Sequence, residues 1–214
     1  MAWQTAGYLA GLGIRKAVVS AADRARLRAA MSPAGAAVAE PLLDIDRVIT
    51  DGYFFQLGVP WGWRDLSRQE VDYAVMQMGL PVVAGVAADR ADDAWTGMLV
   101  SPFQLEGPGL AELMMNMDEF HRRRFSNVPN GHPLGSPGKI LIDGELGLFL
   151  HYGLDDDGAN RGQPSVPIVP VSMTEAYFAR RGQGFRMEFR ADSIDHERYL
   201  PCLWTMLGSW RWLR

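Results

Sequence analysis

Residues 175–191 read EAYFARRGQGFRMEFRA, and this stretch decides the fold class. Gly182 and Gly184 bracket Gln183 and permit the positive backbone angle of a short hairpin, so the flanking residues, 175–181 and 185–191, are antiparallel strands. In the second strand Phe185, Met187 and Phe189 point one way, and Arg186, Glu188 and Arg190 point the other. That period of two marks a strand with one core face.

Outward from this hairpin the same texture recurs. Strands are expected at 53–59, 81–88, 95–100, 139–142 and 146–152, each an aromatic or β-branched run bounded by Gly, Pro or Asp. After Gly107-Pro108-Gly109, the stretch 110–125 places Leu110, Leu113, Met114, Met117 and Phe120 on one face of a long helix. Segment 165–172 follows Pro164 and contains Pro167 and Pro170, so it is expected at a sheet edge, where a missing N–H costs nothing. Pro201 is expected to open a short helix through Leu207, with Gly208 as terminator and 209–213 as a last strand. Strands, a helix, more strands and a helix make an α+β domain over 49–214, an antiparallel sheet flanked by helices. Residues 1–48 read as an N-terminal helical arm and linker. Ser20 and Asp23 form a capping pattern opening a helix at 21–31, whose alanine face suits a body, a second subunit or solvent. The small residues of 34–40 read as the linker.

Composition limits the function. The chain has 214 residues, 48% of them apolar and 21% charged, with formal net charge −4; its mean hydropathy is −0.08. A core is expected at this length without metal or disulfide staples. The acidic balance argues against nucleic acid as a partner. Only Lys16 and Lys139 are lysines among 21 basic residues, a coding bias that suggests a bacterial or phage origin. Cys202 is the single cysteine, so no intrachain disulfide forms and a reduced compartment is expected. The opening residues place Arg15 and Lys16 after an apolar stretch that Gly7, Gly11 and Gly13 interrupt, unlike a secretory leader, and no run reaches a membrane span. The expectation is a cytoplasmic protein without membrane insertion.

Several stretches together resemble the Mog1/PsbP/DcrB-like superfamily, with its LpqN-like and Eag-type chaperone relatives. They are YFFQLGVPWGWRD at 53–65, the helix after 101–109, the Ile142-Asp143-Gly144 turn, and the ending with Phe189-Arg190-Ala191, Tyr199-Leu200-Pro201 and 206–211. The resemblance covers 51–214. It implies an α/β/α sandwich and a non-catalytic binding or accessory role, with Eag-type members shielding apolar helices of a secretion client. Exported lipoprotein relatives carry a leader and lipobox that this sequence does not show.

The residues themselves suggest no catalytic site. His121, His132, His151 and His196 lack the i, i+4 pairing or His-Glu-x-x-His spacing of a zinc site, and read as surface or structural histidines. Asp155-Asp156-Asp157-Gly158 lacks the alternating ligands of a calcium loop. Cys202 lies in an apolar setting that raises a thiol pKa, and no nucleophile elbow, Walker loop or dinucleotide fingerprint occurs. No cofactor and no metal are expected. The basic cluster His121-Arg122-Arg123-Arg124 suits the negative end of a helix or an acidic partner.

Tryptophan carries more information. Trp61 and Trp63, like Trp210 and Trp212, are spaced by two and would share a face on a strand, at least one pair in the core and the other a possible hot spot. The expected function is a protein-binding chaperone or adaptor for a secretion or assembly partner, with an apolar surface lined by Tyr53, Phe55, Trp95, Trp210 and Trp212 and oriented by Arg122, Arg123 and Arg124. A toxin-neutralising immunity protein and a structural subunit of a phage or secretion assembly are the alternatives, and homo-oligomerisation through the arm fits the last. An enzyme would need a pocket joining His151 or His196 to a carboxylate.

Overall fold

A computed structural model describes residues 32, 34–51, 54–89, 96–104, 110–127, 130–156 and 169–213. The first half contains β1 (Ala37–Val38), β2 (Ile45–Asp51), β3 (Phe55–Pro60), β4 (Trp63–Asp65), α1 (Arg68–Met78), β5 (Ala84–Ala88) and β6 (Gly97–Gln104). The second contains α2 (Leu110–Met115), α3 (Met117–Ser126), β7 (His132–Pro133), β8 (Gly138–Ile142), β9 (Glu145–Asp156), β10 (Val169–Arg180), β11 (Gln183–Asp192), α4 (His196–Ser209) and β12 (Arg211–Trp212).

The large sheet runs β1-β8-β9-β10-β11-β6-β5-β4, with β7 also against β9, and every pairing is antiparallel except β1 with β8. A smaller sheet runs β12-β3-β2. Helices α2 and α3 cover one face of β9 and β10, where Leu113, Met114, Leu148, Leu150 and Tyr177 pack together. The opposite face forms the main core against α4 and the small sheet, from Phe55, Leu57, Phe178, Phe185, Met187, Phe189, Met206 and Trp210. This is the α+β sandwich that the sequence pattern implied.

The deciding hairpin exists, with a shifted turn. Arg181 (φ 51°) and Gly182 (φ 85°) are its two left-handed residues, and Gln183 already pairs with Arg180. Two adjacent left-handed residues match the right-handed twist of the flanking strands, which tightens the loop to two residues.

Other expectations need correction. Residues from 169 onward belong to β10, which lies between β9 and β11 rather than at an edge. Pro170 is tolerated because it sits at the second position of the strand, and its carbonyl accepts from Ser193 N at 2.9 Å. The single helix expected at 110–125 is two helices, broken at Asn116 (φ −121°). Helix α4 starts at His196, so Pro201 lies inside it and Gly208 does not end it. Helix α1 was not anticipated, although Ser67 and Glu70 form a reciprocal capping box and Gly79 closes it in the left-handed conformation. The expected linker 34–40 instead contributes β1, and β2 spans the boundary drawn at residue 48. The helix expected at 21–31 lies outside the described residues.

Candidate functional site

The segment 37–51 ties the two sheets together across α4. It leaves the large sheet as β1, which pairs with β8, and enters the small sheet as β2, which pairs with β3. Between them Thr205 Oγ1 on α4 accepts from Leu42 N at 3.1 Å and Leu43 N at 2.9 Å. The same hydroxyl donates to Pro201 O at 2.7 Å, so its proton and its lone pairs are both used. Gly208 lies directly beneath Glu40 and Pro41, and a Cβ there would run into their backbone. The close crossing therefore needs glycine at this point of the helix, and Gly208 serves contact rather than termination.

This strap holds a row of aliphatic side chains in solvent. Val38 and Leu42 are each 60% exposed and Val48 56%, with Leu43 and Ile45 above 40%. Glu40, Asp44 and Asp46 intervene between them, and Asp51 follows. The one guanidinium of the run, Arg47, is already engaged, by Asp65 Oδ1 at 2.7 Å and by Trp63 O at 2.6 Å. The surface is thus apolar with a carboxylate rim. Nothing in the aromatic spacing pointed to it; the signal available was the β-branched run of residues 45–51, which reads as a strand lacking proline and lysine.

The residues singled out from the sequence do not converge. Phe55 and Trp210 are fully buried and stack at 4.1 Å between centroids, so both are core and neither side chain is presented to a partner. Trp212 is half-buried, edge-on to Trp210 at 5.5 Å. Trp61 and Trp63 part company, because Gly62 (φ 80°) turns the chain between them: Trp63 is buried and Trp61 is 72% exposed. Tyr53 and Trp95 lie outside the described residues. Arg122 and Arg123 are exposed and both pair with Glu119. Arg124 points inward, away from that cluster.

Two groups of titratable side chains lie inside. On the α3 side Glu175 is fully buried and accepts from Arg124 Nε and Nη2, from Tyr152 OH at 3.0 Å and from Tyr177 OH at 2.8 Å. Arg186 Nη2 meets Glu188 Oε2 at 3.0 Å beside it. Burial opposes the Glu175 charge, but Arg124 and Arg186 outweigh it and hold the carboxyl at about 2. Burial and the adjacent Glu175 push the Tyr177 hydroxyl up. Every oxygen of Glu175 is therefore engaged by the protein itself, which suits a structural ion pair and leaves no base free to act. On the α4 side His151 and His196 stack at 4.6 Å, and His196 Nε2 meets Thr174 Oγ1 at 3.1 Å. Burial, with His151 alongside, lowers His196 to about 4; burial, with His121 nearby, lowers His151 as well. Stacked rings do not converge on a common point. Among the described residues no three His, Cys, Asp or Glu side chains could hold a metal ion, and no helix is long and apolar enough to cross a membrane.

Neither a protein-family model nor a curated protein matches this chain. Solved structures do. LpqN of Mycobacterium tuberculosis, involved in cell envelope biogenesis, superposes with a TM-score of 0.52 at 13% identity, over 78% of this chain and 89% of that one. CyanoP, the PsbP of Synechocystis sp. PCC 6803, gives 0.48 at 9% identity over 78% and 91%. The Ran-binding protein Mog1p of Saccharomyces cerevisiae gives 0.42 at 9% identity over 78% and 96%. With its helix-flanked antiparallel sheet, the chain has the Mog1/PsbP-like α+β fold.

Proposed function

We propose that this chain is a non-catalytic protein-binding module, serving as a chaperone or adaptor for a secretion or assembly partner. One observation carries the reading: a strap pinned to α4 at Thr205 and Gly208 holds five aliphatic side chains in water. Fixing an extended segment costs chain entropy, and leaving its aliphatic groups about half exposed recovers only part of their burial energy. A partner that covers them recovers the rest. The Glu175 cluster supports the same reading, since its carboxylates and guanidiniums are spent on one another.

Native mass spectrometry of the complex isolated from the producing cell tests this, because it reports the partner's mass and the stoichiometry together. The double variant Leu42→Asp, Val48→Asp should keep the fold, as both positions are exposed, and should lose the partner. Retention of the partner at full stoichiometry would remove the strap from the binding surface. An immunity protein would appear as a one-to-one complex with a toxin, a reading the carboxylate rim favours if the toxin is basic.

A further inference from the structure

The free edge of β2 is defined by what happens on the other side of β3. Gly58 N donates to Ser209 Oγ at 2.9 Å, and Gly58 O accepts from the same hydroxyl at 3.2 Å. Both backbone groups of Gly58 thus point toward α4. In antiparallel register Gly58 faces Val48, so Val48 directs its own N–H and C=O away from β3. Thr50, two residues on, does the same, while Arg47 and Ile49 carry the ladder to Val59 and Leu57. Among the described residues no strand takes up the outward groups of Val48 and Thr50. Among the described residues the other edge strands are short: β1, β7 and β12 have two residues each and β4 has three, against seven in β2.

We infer that β2 is a docking edge for an extended segment of the partner that alternates arginine or lysine with aliphatic residues. The backbone demand follows from the outward amides and carbonyls, which only another extended chain satisfies in series. The aliphatic demand follows from Ile45 and Val48, both exposed beside that edge. The charge demand follows from Asp44, Asp46 and Asp51, which outnumber Arg47; Arg47 is shared by Asp65 and Asp46, so the excess charge rests mainly on Asp44 and Asp51. The register shift between Ile45 and Arg47 ends the regular edge, so the paired stretch is short and centred on Val48 and Thr50. This assignment rests on the protein-binding reading and gives the partner its chemistry.

The test is fluorescence anisotropy with the full chain and a labelled Arg-Val-Arg-Val-Arg-Val peptide. Saturable binding is expected, weakened at least tenfold when alternate peptide amides are N-methylated, and at least tenfold when glutamate replaces arginine. Val48→Pro removes an outward N–H without touching the β2–β3 ladder, and should weaken binding to the same degree; Thr50→Pro is the second variant. Asp44→Asn with Asp46→Asn should weaken binding several-fold and flatten its salt dependence. Equal binding of the N-methylated and unmodified peptides to the wild-type chain overturns the edge assignment, and needs no variant to fold. If the native partner is lost from Leu42→Asp, Val48→Asp but kept by Val48→Pro, the edge falls and the binding module stands. If neither variant loses it, both fall.

Discussion

The two faces of the central sheet are filled in opposite ways. Beneath α4 the core is aromatic and aliphatic, with Phe55, Phe178, Phe185 and Trp210 in mutual ring contact. Beneath α3 the same strands bury Glu175, Arg186 and Glu188, with Tyr152 and Tyr177 closing over the carboxylate. Strand β11 belongs to both: Phe185, Met187 and Phe189 enter one side, Arg186 and Glu188 the other. Apolar packing rewards any neighbour of the right volume. A buried ion pair rewards one geometry and penalises every incomplete one. The α3 face therefore fixes where the helix sits, while the α4 face supplies the bulk of the burial energy.

The largest effect should come from the apolar side. Trp210→Ala removes the ring that contacts Phe55, Phe178 and Phe185, and should cost about 4 kcal/mol in chemical denaturation. Glu175→Gln keeps the shape and leaves Arg124 and Arg186 without their shared anion; a loss of about 3 kcal/mol is expected. A loss under about 1 kcal/mol for Glu175→Gln would mean that the α3 face is held by its leucines alone, and the contrast would collapse.

Acid should separate the faces next. His196 titrates near 4 in the folded chain and at its ordinary 6.5 when unfolded, so the unfolded state binds the proton first. Stability should decline as pH falls below 6.5 and the decline from this group should finish near 4, amounting to at most about 3 kcal/mol. Glu175 stays charged through that window, because its carboxyl is held at about 2. His196→Gln should flatten the pH dependence of the thermal midpoint between 6.5 and 4, and an unchanged slope would exclude the stacked pair as its source. The smallest effect should follow Thr205→Val, which takes the acceptor from Leu42 N and Leu43 N. About 1 kcal/mol is expected, with faster hydrogen exchange at those two amides as the sharper readout.

The sequence made the second half of the sheet legible because alternation there is strong: Phe185, Met187 and Phe189 needed no partner to be read as a core face. It could not show that Arg186 and Glu188 are buried too, since their cover, Arg124, comes from a distant helix. Helix α1 was missed because none of residues 68–76 is fully buried, which leaves a faint apolar stripe, and the Ser67 and Glu70 cap was the readable mark. The pair Trp61 and Trp63 misled because the rule that alternate residues share a face holds only while a strand continues, and Gly62 turns it. The strap was hidden for a different reason. Its seat on α4 depends on one hydroxyl and one absent Cβ, features that look like nothing until the chain is folded.

That seat has a consequence for biosynthesis. Leu42 and Thr205 are separated by 163 positions, so a ribosome has made the strap long before it makes the helix that receives it. During most of translation the nascent chain carries its aliphatic row with no seat to arrange it. The exposed edge of β2 gains its seat only as α4 emerges, after the strands of both sheets that precede it have been made.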